Sequence, residues 1–303
     1  MVYRMLGSTG MKVSVIGLGT WQLGGEWARS FVARDVQLIF EAARGHGITL
    51  VDTAECYGDH LSERLVGEAI RRDRERWIVA TKFGHRFLSP FEREQAWTPA
   101  AVQAQLEDSL VALGTDFIDL YQFHSGMTEA FDNDELWAML ARQKQAGKVR
   151  HLGVSVASSI PAADQLHQVR RAITVGVSCI QVVYNRLQRG AEEALLPTCS
   201  QAGLGVLARV PLASGFLSGK YGAGASFGPD DIRSKKSPQE IERMADDAAR
   251  IQREEVPDGT PMAAWALAWC LRTPAVTAVI PGCKNPAQVA QNAAAAALVT
   301  EGA

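Results

Sequence analysis

The chain has 303 residues, of which 47% are hydrophobic and 21% are charged, and its 31 basic and 33 acidic residues give a formal net charge of −2. A balance this close to neutral argues against nucleic acid or an anionic membrane surface as the partner. No stretch reaches the apolar length of a membrane span, and the first residues lack the apolar core of a signal peptide, so we expect a cytoplasmic protein. The five cysteines are odd in number and lack metal-ligand spacing, which favours free thiols.

Short apolar runs alternate along the chain with longer segments of helical period. This alternation predicts repeated βα units and a parallel sheet. Eight such strands predict one closed (β/α)8 barrel, a TIM barrel, as a single domain over residues 1–303, a common length for this fold. The predicted strands are Val15–Gly17, Thr49–Asp52, Trp77–Thr81, Phe117–Tyr121, His151–Val154, Cys179–Val182, Gly205–Ala208 and Thr277–Ile280.

The N-terminal segment departs from the βα alternation. Tyr3–Leu6 and Lys12–Val15 flank the turn Gly7-Ser8-Thr9-Gly10. This pattern predicts a β-hairpin, which we expect to close the bottom of the barrel. Residues 211–237 also depart, because they are rich in Gly, Ser and Pro and show no strong period. A loop of that length in a compact domain is usually functional or disordered.

Helix predictions between the strands rest on apolar residues at three- and four-residue steps, as in Ala33–Gly45 and Thr98–Leu113. Start signals support them. Thr98 before Pro99, and Ser237 before Pro238, each place an N-cap ahead of a first-turn proline, and Asp132 stands in capping-box spacing to Glu135.

In an eight-stranded α/β barrel, catalytic residues lie at the carboxyl ends of the strands. Asp52 ends the second predicted strand and Tyr57 follows it, and Lys82 and His124 follow the third and fourth. A free tyrosine, with a pKa of about 10, is a poor acid at neutral pH, but a nearby ammonium stabilises its phenolate and brings that pKa nearer to neutral. We expect Lys82, kept protonated by Asp52, to act in this way on Tyr57, and His124 to hydrogen-bond a carbonyl oxygen. This chemistry requires no metal.

The same segments resemble the aldo-keto reductases, which are (β/α)8-barrel oxidoreductases that use NADPH or NADH without a metal. The resemblance covers nearly the whole chain, to Asn292. Its motifs occur in order as Gly17-Leu18-Gly19-Thr20-Trp21, Asp52-Thr53-Ala54-Glu55-Cys56-Tyr57-Gly58, Ala80-Thr81-Lys82, Leu120-Tyr121-Gln122-Phe123-His124, Gly153-Val154-Ser155, Gln181-Val182-Val183-Tyr184-Asn185, Pro211-Leu212-Ala213-Ser214-Gly215 and Ile280-Pro281-Gly282.

The resemblance implies that Tyr57 is the general acid, that Lys82 modulates its pKa, that Asp52 pairs with Lys82 and that His124 orients the substrate carbonyl. It also implies two sets of cofactor-binding residues. Those at strand ends, where Ser155 and Gln181 would hold the carboxamide, are Gly19, Thr20, Trp21, Asp52, Ser155, Gln181, Arg209 and Pro211. Those around the pyrophosphate and the adenosine phosphate are Leu212, Ser214, Gly215, Lys220, Arg233, Gly282, Lys284, Gln288, Gln291 and Asn292.

Three residues depart from the family pattern. Val156 replaces an asparagine that helps to hold the amide of the cofactor. Arg209 stands where an aromatic ring often stacks on the nicotinamide of the cofactor. A guanidinium can also stack there, but it adds positive charge beside the nicotinamide ring, which becomes cationic when it gives up hydride. An alternative role for Arg209 is to bind an acidic substrate or a phosphate. Gln288 replaces the arginine that many NADPH-selective members use. Because Lys284 is basic, we still expect NADPH, with NADH possible.

The resemblance therefore implies reduction of aldehydes or ketones, with a small-molecule carbonyl or sugar as substrate. Two alternatives stay open: sugar or alcohol oxidation by the same site, and a cofactor-binding regulatory subunit with little turnover. Asp52 and Lys82 are also compatible with a purely structural ion pair. We interpret Cys56 as an inert small side chain because no base is evident beside it. Trp21, Trp27 and Trp97 fall in predicted loops and are candidates for a substrate rim.

Overall fold

A computed structural model describes residues 1–222 and 224–299. Eight parallel strands form one sheet in which each strand is hydrogen-bonded to the next. Bridges from Ile16 to Val279 and from Gly19 to Gly282 join its two edges. The sheet therefore closes, and the predicted barrel fold is confirmed. Its strands are β3 (Leu18–Gly19), β4 (Leu50–Asp52), β5 (Ile78–Phe83), β8 (Ile118–His124), β9 (Val149–Ser155), β10 (Val177–Val183), β11 (Gly205–Arg209) and β12 (Ala278–Val279).

The strand predictions differ from the structure mainly at the strand ends. The first strand was predicted as Val15–Gly17; Ile16 of this segment pairs with Val279 as an isolated bridge, and regular pairing with β4 begins at Leu18 opposite Val51. Strand β8 runs to His124 and β9 runs to Ser155, because these two strands stay paired as far as His124 opposite Ser155. Both predicted site residues therefore end strands, which fixes their backbone more firmly than a loop would.

The predicted N-terminal hairpin is present as β1 (Tyr3–Met5) and β2 (Lys12–Ser14), which pair in antiparallel register. Leu6 is fully buried in a cluster with residues of the barrel interior, including Leu120 and Leu207. Gly7 has φ +53°, and a Cβ there would come within 2.2 Å of the backbone nitrogen of Gly205. The hairpin therefore closes the amino-terminal end of the barrel in direct contact with its backbone.

Helices surround the sheet and bury their apolar faces against it, as α1 does with Val36, Ile39 and Phe40. The predicted caps Thr98 and Ser237 accept hydrogen bonds from backbone N–H groups three residues later. The helices are α1 (Ala33–Gly45), α2 (Leu61–Ile70), α3 (Pro99–Leu113), α4 (Thr128–Phe131), α5 (Asp134–Gln145), α6 (Ala162–Thr174), α7 (Leu195–Gln201), α8 (Pro238–Glu254), α9 (Met262–Leu271) and α10 (Pro286–Ala293). Within residues 1–222 and 224–299, no helix has the length and apolar character needed to cross a membrane.

Two further local features differ from prediction. Asp132 does not cap α5; Asn133 accepts from the backbone nitrogens at the helix start, while the Asp132 carboxylate pairs with His167 and Arg171. A second hairpin, β6 (His85–Ser89) with β7 (Glu92–Gln95), follows β5 and was not predicted. Its strands are mostly polar and lack the apolar alternation that indicates a β-strand.

Candidate active site

Lys82 lies at the centre of a buried polar cluster at the carboxyl ends of β4 and β5. Asp52 pairs with Ala80 across these parallel strands, so Lys82, two residues on, lies on the same face of the sheet. Its Nζ donates to Asp52 Oδ1 at 2.7 Å, to the Thr53 carbonyl at 2.6 Å and to Tyr57 Oη at 3.3 Å. Lys82 is only 1% exposed, so these three oxygens, not water, stabilise its ammonium.

Asp52 is fixed from its other side by two amides. Gln181 Nε2 donates to Asp52 Oδ2 at 2.7 Å and Gln122 Nε2 donates to the same oxygen at 3.2 Å. Ser155 Oγ donates in turn to Gln181 Oε1 at 3.2 Å. Gln122 was not predicted as a site residue, because it lies within a strand of mainly apolar residues. The carboxylate that faces Lys82 is therefore held rigidly by the barrel interior.

The charge states of the cluster follow from burial and proximity. Burial lowers the pKa of Lys82, but Asp52 and Tyr57 more than offset this and raise that pKa above its usual value. Burial raises the pKa of Tyr57 to about 12, although Lys82 acts in the opposite direction. The expectation that Lys82 brings the pKa of Tyr57 below its ordinary value is therefore wrong, because desolvation outweighs the nearby charge. At neutral pH the cluster holds an ammonium beside a protonated phenol.

His124 ends β8 with its ring centroid 6.2 Å from that of Tyr57. The pKa of His124 is lowered well below its usual value, mainly by burial and to a lesser extent by the neighbouring His85. The imidazole is therefore neutral. Its Nδ1 lies 3.6 Å from Cys56 Sγ, and donor atoms of Glu55, Cys56 and His124 lie within 4.8 Å of one another. The interpretation that no base lies beside Cys56 is therefore wrong. The base is 68 positions away in the sequence and is brought near by the barrel.

A cavity of about 400 Å³ opens beside Tyr57 and His124. Most predicted site residues line it, whereas Lys82 and Ser155 are buried behind its wall. The predicted residues that line it are Gly19, Thr20, Trp21, Asp52, Tyr57, His124, Gln181, Arg209, Pro211, Leu212, Ser214, Gly215, Lys220, Arg233, Gly282, Lys284, Gln288, Gln291 and Asn292. Residues that the sequence analysis did not assign to the site also line it, including Gln22, His85, Arg93, Ser125 and Tyr221.

Apart from Arg93 and Arg209, three cations line the cavity: Lys220, Arg233 and Lys284. Arg233 is paired with Asp231, and its guanidinium stacks 3.9 Å above the ring centroid of Phe227. Lys284 Nζ donates to the Trp27 carbonyl at 2.8 Å, which leaves its charge without a carboxylate partner among the described residues. This part of the cavity is therefore suited to anionic groups.

The wall segment 210–215 has a strained backbone. Val210, Ala213 and Ser214 have φ values of +55°, +47° and +56°, and Gly215 has +96°. Positive φ is costly for residues with a Cβ, most of all for β-branched valine, and such strain clusters at functional sites. The predicted long loop, residues 211–237, thus contains all of this strained wall except Val210, and two short 3₁₀ turns, Ala213–Ser218 and Ile232–Lys235.

A buried carboxylate organises the rim of the cavity. Glu26 accepts hydrogen bonds from Trp21 Nε1, from the Phe91 backbone nitrogen and from Arg93. Trp21 lies over Tyr57 with ring centroids 6.1 Å apart and planes 24° apart, and Trp27 meets Trp21 edge-on. These two rings match the predicted rim. Trp97 does not line the cavity and instead stacks on Phe123 at 4.3 Å, so its prediction as a rim residue is wrong.

Polar atoms in the cavity wall lack partners. Gln22 Oε1, Trp27 Nε1 and Arg209 Nε are buried without a hydrogen bond to the described part of the chain. Arg209 makes one hydrogen bond, from Nη2 to the Val156 carbonyl at 3.1 Å. Orphaned buried donors and acceptors are costly and indicate a polar ligand that satisfies them. The cavity thus combines a protonated phenol, a neutral imidazole and a cationic wall.

Comparisons with known proteins agree with this geometry. The model of the Aldo/keto reductase family matches residues 15–301. The aldo-keto reductase YhdN of Bacillus subtilis (strain 168) is 31% identical over 296 residues, which cover 95% of this chain and 87% of that protein. The structure of aldo-keto reductase AKR11C1 from Bacillus halodurans, in its holo form, is 29% identical with a TM-score of 0.80 and covers 98% of this chain and 91% of that one. The glycerol dehydrogenase AKR11B4 from Gluconobacter oxydans is 29% identical with a TM-score of 0.81, over 97% of this chain and 89% of that one.

Proposed function

The chain belongs to the aldo/keto reductase family, whose members carry out carbonyl reduction with a nicotinamide cofactor, and on this basis we propose that it reduces small aldehydes or ketones with NADPH, using Tyr57 as the proton donor. The observation that carries the proposal is the contact of 3.3 Å between the buried ammonium of Lys82 and the phenol of Tyr57, at the wall of the cavity. A protonated phenol beside a fixed cation suits proton donation to an oxygen that becomes negative.

The residues of the cavity fit a nicotinamide dinucleotide. The unpartnered Arg209 Nε and Gln22 Oε1 offer a donor and an acceptor, and Lys220, Arg233 and Lys284 offer positive charge for phosphates. When bound, the cofactor supplies the hydride. In this assignment Gln181, which lines the cavity, would hold the carboxamide, with Ser155 behind it fixing Gln181, and the strained segment 210–215 would hold the pyrophosphate.

Tyr57 donates its proton to the carbonyl oxygen as negative charge develops there. The phenolate left behind is stabilised by Lys82, whose Nζ donates to it. Asp52 keeps Lys82 charged and in place, and Gln122 and Gln181 keep Asp52 in place. The structural alternative, in which Asp52 and Lys82 form only a stabilising pair, does not account for the position of Tyr57 against that pair.

His124 hydrogen-bonds the same carbonyl oxygen and orients the substrate. Because its pKa is lowered well below the usual value, the imidazole acts as a neutral hydrogen-bond donor and not as a competing acid. Trp21 and Trp27 form an apolar wall above Tyr57 that excludes water and sets the substrate shape.

The preference for NADPH rests on the extra phosphate of that cofactor. Lys284 has no carboxylate partner among the described residues, so its charge is available to a 2′-phosphate. Gln288 stands where many relatives have an arginine, but binding of the 2′-phosphate does not need that arginine here. Gln288 Oε1 accepts from the Lys284 backbone nitrogen at 2.7 Å and so fixes the loop that carries Lys284.

Alcohol oxidation by the same site is the second candidate, because a structural neighbour is named a glycerol dehydrogenase. The test follows absorbance of the reduced cofactor, with NADPH and NADH separately, against aldehydes, ketones and aldoses, and in reverse with polyols and the oxidised cofactors. Faster turnover of carbonyls with NADPH supports the proposal. Faster polyol oxidation at neutral pH would reverse the proposed direction of the reaction. Tight cofactor binding without turnover of any compound would favour a regulatory subunit.

A further inference from the structure

We infer that Cys56 is a positioning residue, whose thiol donates to Nδ1 of His124 and thereby places the imidazole proton on Nε2, where it faces the substrate. The inference rests on the proposed carbonyl reduction and adds to it the residue that selects the working form of His124. Neutral imidazole has two tautomers, and the hydrogen bond made by one nitrogen decides which nitrogen carries the proton.

The geometry isolates this contact. Cys56 Sγ lies 3.6 Å from His124 Nδ1, within the range of a sulfur hydrogen bond, and Cys56 is fully buried. His124 Nε2 makes no hydrogen bond to the residues that the structure describes, although His124 lines the cavity. Because Nδ1 is directed at Cys56, Nε2 is the nitrogen that a ligand meets.

The direction of the hydrogen bond follows from the chemistry of the two atoms. An imidazole nitrogen without a proton is a good acceptor, whereas a thiol sulfur is a weak one. Burial raises the pKa of Cys56 well above its ordinary value, so the sulfur keeps its proton. The arrangement S–H to Nδ1 is therefore favoured over N–H to sulfur, and it leaves the Nε2 proton free for a carbonyl oxygen.

Glu55 is the competing donor. Burial raises the pKa of Glu55 to about 8, so it also carries a proton at neutral pH. Its Oε1 is 3.9 Å from His124 Nδ1 and already accepts from the His85 backbone nitrogen at 3.1 Å. That distance exceeds a hydrogen bond between nitrogen and oxygen, so the geometry favours Cys56. His85 Nε2 donates to the backbone carbonyl of His124 at 2.5 Å, and its ring meets the His124 ring edge-on with centroids 4.9 Å apart, but it makes no hydrogen bond to a ring nitrogen of His124.

The test compares Cys56→Ala with Cys56→Ser, two variants of similar side-chain volume of which only the second retains a proton donor. ¹⁵N spectra of the protein with labelled histidine, assigned with His124→Gln, report the His124 tautomer without any need for turnover. We expect the Nε2-protonated form to dominate in the wild type and in Cys56→Ser, and to lose that dominance in Cys56→Ala. In steady-state kinetics we expect kcat to fall about tenfold in Cys56→Ala, as for the loss of one positioning hydrogen bond, with the cofactor Kd unchanged.

A double-mutant cycle separates this role from packing. The amide of Gln in His124→Gln carries a donor whatever Cys56 does, so adding Cys56→Ala to it should change kcat by less than about twofold. Equal tautomer populations and equal rates in the Ala and Ser variants would overturn the proposal, as would a tautomer change produced by Glu55→Gln and not by Cys56→Ala. If the chain reduces no carbonyl compound, the proposed function fails, but the ¹⁵N spectra still decide whether Cys56 sets the tautomer.

Discussion

Nζ of Lys82 lies 3.3 Å from the phenol oxygen of Tyr57, and both side chains are buried. This ammonium is the main positive charge that favours the phenolate, ahead of Arg93. Replacing it in Lys82→Met, which keeps most of the side-chain length without the charge, should lower the rate of carbonyl reduction by at least about 10²-fold. Initial rates at saturating cofactor and substrate measure this effect, and a variant within a few-fold of the wild type would contradict the role of Lys82.

The same substitution should also destabilise the fold, because it leaves Asp52 as a buried carboxylate without its cation. Loss of one member of a buried pair costs about 3–5 kcal/mol of unfolding free energy. The double variant Asp52→Asn with Lys82→Met removes both charges and should recover much of that stability in urea denaturation, while activity stays lost. Recovery of activity along with stability would show that the pair is only structural.

The pH dependence should separate the two directions of the reaction. Tyr57 has a pKa raised to about 12, and reduction uses its protonated form. Tyr57 is fully protonated well below this pKa and loses its proton only as the pH rises through it. We therefore expect kcat for reduction to be flat between about pH 6 and about pH 9. Oxidation uses the phenolate and should rise with pH over the same range. A fall in reduction rate within that range would show that the working pKa is lower.

Lys284 should discriminate between the two cofactors. Its ammonium has no carboxylate partner among the described residues, and NADPH carries a phosphate that NADH lacks. In Lys284→Ala, we expect the Kd for NADPH to increase by about tenfold or more and the Kd for NADH to change by less than about threefold, as judged from the value of a charge-assisted hydrogen bond. Lys220→Ala serves as the control. We assign Lys220 to the pyrophosphate, which both cofactors share, so its loss should weaken both alike; a similar pattern in Lys284→Ala would reject the assignment.

Arg209 should shift the balance between the oxidised and reduced cofactors. Its guanidinium lies at the end of β11 without a carboxylate partner among the described residues, and the oxidised nicotinamide ring is cationic. Arg209→Leu should therefore tighten NADP⁺ relative to NADPH, by roughly three- to tenfold for one partly screened charge. Arg209→Lys keeps the charge and should keep the ratio. Fluorescence titration gives both constants, and an unchanged ratio in the Leu variant would exclude an electrostatic effect.

The placement of the main site residues was predictable because the barrel imposes it. Asp52, Lys82 and His124 end or follow recognisable apolar strands, and the carboxyl ends of parallel strands meet at one end of a barrel. The pKa of Tyr57 was not predictable in the same way. Its value depends on how deeply the ring is buried, which the spacing of residues does not express, and burial reverses the effect expected from Lys82.

The rim was the least predictable part of the site. Arg93 belongs to a polar hairpin without apolar alternation, and its buried partner Glu26 is 67 positions away. Only the folded chain shows that Glu26 of this pair also binds Trp21, whose ring lies over Tyr57. Cys56, in the turn after β4, and His124, at the end of β8, are likewise brought together only by the fold. The extent of the single domain over residues 1–303 and the catalytic roles themselves stay predictions.

The most direct test of the account compares the wild type with Tyr57→Phe, which removes one oxygen atom and little volume. NADPH oxidation is followed with an aldehyde that the wild type reduces, and the cofactor Kd is measured by fluorescence titration. We expect turnover to fall by about 10²–10⁴-fold, with the Kd unchanged within about twofold, because only the proton donor is lost. Turnover close to that of the wild type would contradict the assignment of Tyr57 as the proton donor.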